Sequence, residues 1–513
     1  MVAKRKVLGL ILVVSIISWL DVEAQKSILP VRGIVFHDKN LNGIKDRGER
    51  GVKGVGVSNG NQIVLTDKKG NYCIEAVDGN WIFPIMPSGY APVAKVPNGR
   101  SPLSATRVNA SKGITDCTVN FPLVAVPYTN KFTVGVIGDL QVGNSSEINY
   151  ANNSVISELQ QQGQIDFSIF LGDLVNENPS IFKEVRQMVG LLPFPSYMVY
   201  GNHDRDLDTA ILSQDATFQK YFGPTFYAFN RNNVHFIVLN NVYGKGKRGY
   251  EGRISQNQIT FLANDLKLVP SDQLVVICQH IPMVFTKNKE QVLSLLKDRK
   301  NCLVLSGHMH QIGRTFMGGD TTVRVHELVA GSTCGNWWVG EKDWQGIPSA
   351  LMQCGSPRGY FLFEFDNKNH YQMRYKGVGL DSHKQMNIWI KGLDTLDYKV
   401  PEFDTLLSNQ VFVNIFAGSD STKVVMQIDE NKAQPMNKIS MVPPAISRLR
   451  WLNKQRIYPT KYCRRAALRK RKSYHLWKGV MPCDVKKGIH VITILARDQY
   501  GLKVRGVRVF EKK

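Results

Sequence analysis

Five apolar runs in the middle of the chain stop on polar clusters built almost wholly from metal-ligand side chains, and no other feature constrains the fold as much. They read VGVIG-Asp139-Leu140-Gln141, IFLG-Asp173, MVYG-Asn202-His203-Asp204, VVICQ-His280 and LVLSG-His308-Met309-His310. Short apolar runs bounded by such clusters predict buried strands. In open α/β sheets, ligands gather beyond the carboxyl ends of the strands, so strand-terminal residues far apart in sequence converge in space. Five such endings imply one site. Each motif alone is weak, because a lone GDL or GNH is usually a turn and an isolated histidine after a strand is more often structural. Their conjunction at comparable strand-end positions points to a metal.

The pattern around these runs sets the domain organisation. At 513 residues the chain exceeds one ordinary core. Lys4, Arg5 and Lys6 precede an apolar run from Val7 to Leu20, and Val22-Glu23-Ala24 offers small residues for cleavage, so residues 1–24 read as a signal peptide. The protein is then expected to be exported, periplasmic or extracellular. A single uncleaved anchor is the alternative, but the run is short for a bilayer span. No transmembrane segment is expected in the mature chain. Residues 25–127 read as an N-terminal β domain, with GIVF, QIVLT and NYCIEAV between Gly, Asn and Asp turns. In residues 128–377 strand-like runs alternate with segments of helical period such as INYANNSVISELQQQ and SQNQITFLANDLKLV, which is the α/β signature. Strands return in MNIWI, KVVMQID and HVITILARD, so residues 378–513 read as a C-terminal β-sandwich.

Residues 131 to 377 resemble the calcineurin-like metallophosphoesterases, whose pattern of DxH, GDxx, GNH(D/E), a later H and GHxH reads here as Asp139-Leu140-Gln141, Gly172-Asp173, Gly201-Asn202-His203-Asp204, His280 and Gly307-His308-Met309-His310. The three-part chain also resembles an exported bacterial subfamily with a β domain on either side, through GSTCGNWWVG, GIP and GSPRGY between 331 and 360. The resemblance implies an α/β sandwich of two mixed sheets flanked by helices, and a dinuclear site. One metal would be held by Asp139, Gln141, Asp173 and His310, and the other by Asp173, Asn202, His280 and His308, with Asp173 bridging. A mixed oxygen and imidazole set suits Mn, Fe or Zn. The implied activity is hydrolysis of phosphomonoesters or phosphodiesters by a metal-bridging hydroxide, with His203 facing the phosphate and Asp204 orienting its ring. Pyrophosphate hydrolysis in a nucleotide-sugar or nucleotide-lipid fits the same residues. A protein that binds phosphoglycan or lipid through its metals without turnover is the rival from another class.

The pattern departs from the family at Gln141, where histidine is usual. An amide carbonyl is a weaker, harder donor than imidazole, so the first metal would be held more loosely, or a water fills the gap. Trp337 and Trp338 could stack on a sugar or base and Arg358 could fork onto a phosphate, against the alternative of core packing. In the N-terminal domain, Asp38, Asn40, Asn42, Asp46 and Glu49 fill loop positions 1, 3, 5, 9 and 12, with Gly43 at 6 and the Ile44 carbonyl at 7, the pattern that wraps calcium. The alternative is a turn without an ion. Cys278 and Cys302 read as core residues, whereas Cys73 with Cys117, and Cys463 with Cys483, are candidate bridges. The net charge is +23, with no acidic residue between Asn431 and Cys483 and twelve Lys or Arg from Arg448 to Lys478. Such a patch favours contact with an anionic surface, such as a phosphorylated glycan or lipid, or is a solvated basic face. Nucleic acid is not expected. The substrate is expected to be a phosphorylated small molecule, glycan or lipid.

Overall fold

The apolar runs form the strands that their composition predicts. The structure, a computed structural model, describes residues 28–93, 102–109, 117–318, 325–393, 406, 409–459, 461, 463–465 and 467–512. The signal-peptide reading of residues 1–24 falls outside them. Among the described residues no helix is long and apolar enough to cross a membrane.

In the central region Lys131–Ile137, Phe167–Phe170 and Ser196–Met198 pair in parallel, and Gly359–Asp366 and Tyr371–Gly377 extend them antiparallel into a five-stranded sheet. A second sheet of six strands runs Tyr227–Arg231, Val234–Val238, Leu274–Cys278, Cys302–Ser306, Val325–Ala330 and Ile312–Met317. Parallel strands covered on both faces need continuous apolar runs rather than alternation. LVVIC and CLVLS are accordingly buried at every position, Cys278 and Cys302 among them. The sheets meet through an aromatic layer in which Phe167 and Phe236 have ring centroids 5.3 Å apart and Phe132 and Phe365 5.2 Å. Each ring buried in this way contributes about 1.5–3 kcal/mol. Ser145–Ala151 and Ser157–Gln161, joined by a π-turn at Asn152–Ile156, cover the outside of the first sheet with Phe182–Val189 and Ala216–Phe222. Gln256–Leu266 and Lys289–Leu296 cover the second. The fold is an α/β sandwich of two mixed sheets flanked by helices.

The N-terminal β region has two sheets, one ordered Asn71–Val77, Ile28–His37, Phe121–Ala125, Tyr90–Pro92 and the other Ile63–Leu65, Gly56–Ser58, Trp81–Pro84, Thr106–Arg107. It is tied to the centre where Trp81 Nε1 donates to Gln219 Oε1 at 2.6 Å. The C-terminal region faces a sheet of Met386–Ile390, Gln410–Ile415, Ser473–Val480 and Asn437–Met441 against one of Gln434–Pro435, Lys423–Ile428, Gly488–Arg497 and Lys503–Lys512. It also carries a helix, Pro444–Lys454, inside the basic stretch.

The candidate bridges are not formed: among the described residues no disulfide joins any of the eight cysteines. Cys73 pairs with Arg32 on one side of Ile28–His37, and Cys117 with Val31 on the other. Two strand spacings, about 9.5 Å, exceed the reach of about 7 Å between bridged Cα atoms. Cys463 lies instead with its Sγ 3.5 Å from Glu341 Oε1, and Cys483 is exposed.

Candidate metal centre

At the carboxyl ends of these strands the chain turns so sharply that Asp139, Gln141, Asp173, His308 and His310 all take positive φ, from 34° to 72°. Side chains other than glycine rarely tolerate this region, and such strain gathers at functional sites. The glycines explain how the strand ends approach one another. A Cβ on Gly201 would lie 2.0 Å from Asp173 N, and one on Gly172 would lie 2.7 Å from His280 Nδ1.

The convergence is tightest around Asp173. His280 Nδ1 faces Leu171 O at 2.8 Å, so that nitrogen must donate. Nε2 then points at Asn202 Oδ1 (3.0 Å), Asp173 Oδ1 (3.2 Å) and His308 Nδ1 (3.3 Å). Among the described residues, ligand atoms of Asp173, His280 and His308 lie within 4.8 Å of one another. Acceptors gathered about one point repel unless a proton or a cation stands between them. Burial works against a charge on His280, but Asp173 outweighs it and raises the imidazole to about 9, so without a metal ion Nε2 carries the proton that a bound cation would displace. Burial, then His280, lowers His308 to about 3, and burial lowers His310 to about 4, so both are neutral and ligand-competent near pH 7.

Beside this group lies the second half of the site. His310 Nδ1 donates to Gly335 O at 2.8 Å, leaving Nε2 3.7 Å from Asp139 Oδ1. Cys334 Sγ sits 3.6 Å from both Gln141 Oε1 and His310 Nδ1. Gln141 Nε2 is buried with no partner among the described residues. A half-turn of the amide would bring its carbonyl oxygen to that position, where a cation would satisfy it. Burial drives the Asp139 carboxyl well above its ordinary value. Burial also pushes on Asp173, but His280 and the His203 amide overcome it and hold that carboxyl down. The two carboxylates resist ionising together, as expected of a cradle that needs added positive charge. The donor set fits divalent metal ions.

Three family models match the chain. One described as calcineurin-like phosphoesterase covers residues 132–312, with its N-terminal companion at 39–122 and its C-terminal companion at 327–503. The chain belongs to the calcineurin-like phosphoesterases. The family implies divalent metal ions and a phosphoester substrate. No curated protein matches the chain. Among solved structures it is similar to the purple acid phosphatase PPD1 from yellow lupin (Lupinus luteus) seeds, at 13% identity and TM-score 0.36 over 69% of this chain and 67% of that one. It is also similar to Vps29 of Chaetomium thermophilum, at 12% identity and TM-score 0.21 over 48% of this chain and 97% of that one.

In this phosphoesterase the partner expected for His203 is replaced. Asp204 does not orient the ring: its carboxylate accepts from Val175 N at 3.0 Å and Gly201 N at 2.9 Å, which fixes the turn itself. Burial, then Asp173, raises Asp204 to about 7. The carboxylate facing the His203 ring belongs to Glu177, whose Oε1 lies 3.6 Å from Nδ1. Glu177 N also donates to His203 O at 3.0 Å. Only the acidic residue four places after Asp173, in GDLVNE, hinted at it in the sequence.

The two tryptophans part company. Both take positive φ, 58° and 49°, which sends successive rings to opposite sides. Trp337 is 42% exposed and stacks on His310 with ring centroids 4.5 Å apart. Trp338 is buried in the core, and its Nε1 donates to Leu140 O at 3.0 Å, bracing the Asp139–Gln141 turn. Arg358 is buried behind it, 5.2 Å over the Trp338 ring and donating to Ser154 Oγ, so it offers no fork to a phosphate. In the N-terminal loop Asp38 accepts from Leu41 N and Gly43 N, and Glu49 from Lys39 N and Asp46 N. Asn40 and Asn42 both donate to Asp46 Oδ2 at 2.8 Å, so the loop closes on its own hydrogen bonds. The basic stretch runs beside the tryptophan loop: Gly340 N donates to Arg464 O at 2.9 Å and Gln353 Nε2 to Ala467 O at 3.0 Å.

Proposed function

We propose that the chain is an exported two-metal phosphoesterase acting on a phosphomonoester or phosphodiester of a small molecule, glycan or lipid. The observation that carries this reading is the cluster of Asp173, Asn202, His280 and His308, in which three ligand atoms crowd His280 Nε2 at 3.0–3.3 Å. Two cations (Mn, Fe or Zn) would be held by Asp139, Gln141, Asp173 and His310 and by Asp173, Asn202, His280 and His308, and when bound they supply water activation and neutralise phosphoryl charge.

The chain's own residues do the rest. The His203 amide donates to Asp173 Oδ1 at 2.8 Å, which ties the acid to the carboxylate that would be shared by both metal positions. Glu177 Oε1 stands 3.6 Å from one ring nitrogen as a counter-charge, leaving the other to pass a proton to the leaving oxygen. Trp337 offers a flat face to a sugar or base, which favours the nucleotide-sugar or nucleotide-lipid pyrophosphate as second reading. The basic residues of 464–472 border the loop that carries Trp337, and their field suits a substrate with anionic charge beyond the reacting phosphate. Gln141 weakens the first metal position, so Gln141→His should tighten it; unchanged metal content would refute that. Export rests on the order of charge and hydropathy in residues 4–20. Domain limits at 127/128 and 377/378 are part of this reading, supported by the strands at 359–366 and 371–377 joining the central sheet.

Aryl phosphates and bis-aryl phosphodiesters, assayed with Mn, Fe, Zn or Mg and after chelation, test the reading. Turnover should require added metal, and His203→Ala should lose about 10²–10⁴-fold in kcat. Full turnover by the chelated protein would refute the proposal. Metal uptake without turnover on any ester or pyrophosphate would favour the binding protein.

A further inference from the structure

The outer face of the last sheet carries a pattern that catalysis leaves unused. Along Lys423–Ile428, Gly488–Arg497 and Lys503–Lys512, alternate side chains point away from the core. The register places Val491 opposite Val509, Thr493 opposite Val507 and Leu495 opposite Arg505. Five aliphatic side chains stand together there, Ile489 at 78% exposure, Val509 at 62%, Val507 at 49%, Leu495 at 43% and Val491 at 38%. Clustered aliphatic exposure of this kind marks a contact surface, whereas single exposed residues do not.

At one end of the same face the charges are arranged against their own stability. Lys423 is paired with Arg497, and Arg497 with Lys503, so three exposed cations lie directly across three adjacent strands. Arg505 is two residues further in. Like charges directly opposite destabilise a sheet. Among the described residues none of these four has a carboxylate partner.

We propose that this face docks the protein on an anionic lipid bilayer. The aliphatic rows would enter the headgroup boundary while the cationic row meets lipid phosphates, the combination that holds an amphipathic surface to an acidic membrane. Charge argues for this occupant over a second copy. A facing copy would bring cations against cations or, if reversed, set four cations against the single Glu511 at the other end, in a chain whose net charge is already +23. The proposal does not rest on the phosphoesterase reading, since none of these residues belongs to the metal centre.

The test is co-sedimentation of the full protein with vesicles of phosphatidylcholine alone and of phosphatidylcholine with phosphatidylglycerol. Wild type should bind only the anionic vesicles, more weakly at high salt. Lys423→Glu/Arg497→Glu/Lys503→Glu should lower the partition coefficient about 100-fold, and Val507→Ser/Val509→Ser about tenfold. Both variants should keep the wild-type thermal midpoint and turnover of an aryl phosphate, which separates this outcome from misfolding and from failure of the catalytic reading. The proposal falls if the charge-reversed protein binds as wild type does, or if wild type binds neither vesicle or both equally. It also falls if sedimentation velocity shows a dimer that the valine variant dissolves.

Discussion

The candidate metal centre and the seam between the second sheet and the C-terminal domain are both buried, and both gather histidine and aspartate from distant strands. In the seam every acceptor meets a donor. Arg314 donates to His326 Nε2 at 3.0 Å, to Asp498 Oδ2 at 2.7 Å and to Ala417 O at 3.0 Å. His326 Nδ1 in turn faces Tyr371 OH at 2.6 Å, and Thr422 Oγ1 donates to Asp498 Oδ2 at 3.0 Å. Burial, then Arg314, keeps His326 neutral. In the metal centre three ligand atoms crowd His280 Nε2 at 3.0–3.3 Å, and Gln141 Nε2 and His203 Nδ1 are buried without a hydrogen-bond partner. The seam carries its cation covalently, as a guanidinium. The centre has no arginine and meets the same need from outside, with a proton on His280 or with the metal ions that displace it. A buried polar cluster is therefore structural when its donors match its acceptors, and a ligand site when acceptors are in surplus.

Substitution at the heart of each cluster should separate them. Asp173→Asn removes the carboxylate shared by both proposed positions. Turnover should fall by more than about 10³-fold, with lost metal content, in a protein that stays folded under assay conditions. Arg314→Met should do the reverse. Both its side chain and that of Asp498 are fully buried, so the variant leaves an unpaired carboxylate inside and should lose about 3–5 kcal/mol of stability in denaturant unfolding. Turnover per folded molecule should stay at the wild-type level. An Arg314 variant as stable as wild type, or an Asp173 variant that unfolds while still loading metal, would break the comparison.

The centre was legible in the sequence because its residues follow strands, and strand period and strand ends can be read from apolar runs. Asp139, Asp173, Asn202, His280, His308 and His310 needed nothing further. The seam was not legible: Arg314, His326 and Asp498 follow no common pattern, and their partnership depends on how two regions dock. Trp337 and Trp338 were indistinguishable in sequence, since their opposite directions come from two successive left-handed backbone turns. Asp204 was misread for a related reason. The resemblance implied that it orients His203, yet the turn bends its carboxylate toward backbone amides. The helix Pro444–Lys454 was hidden because its apolar positions are interleaved with Arg448 and Arg450.

Glu177 sharpens the comparison at a smaller scale, since it supplies a carboxylate to a ring nitrogen at the edge of the acceptor-rich site. Glu177→Gln keeps shape and removes charge, and should cost about 10–100-fold in kcat, the usual range for a group that orients a reacting imidazole beside a metal. KM for an aryl phosphate should hold, and Glu177→Asp should recover part of the loss. A merely structural role would instead lower the melting temperature and leave kcat alone. Arg248 NH1 lies 3.4 Å from Glu177 Oε2, so its removal should produce a weaker copy of the same effect.

The smallest effect belongs to a third arrangement of the same kind. His490 Nδ1 lies 2.7 Å from Asp429 Oδ2 and Nε2 lies 2.8 Å from Lys486 O, so both ring nitrogens face acceptors. Here neither a metal nor an arginine is needed, because the ring can take up a proton from water. The Asp429 hydrogen bond, then that to Lys486 O, raises the His490 pKa above its ordinary value. A histidine whose folded pKa is raised gives a contribution fully present below its unfolded value, near about 6.5, and lost as pH rises through the folded one. His490→Gln should therefore lower the thermal midpoint at pH 6 and leave it unchanged at pH 9. The pair is at the surface, so the difference should shrink in high salt. The seam should show no such salt dependence, because its charges are out of reach of mobile ions. If the His490 effect survived high salt undiminished, exposure would not be what ranks these clusters, and the distinction drawn between the seam and the metal centre would have to rest on donor count alone.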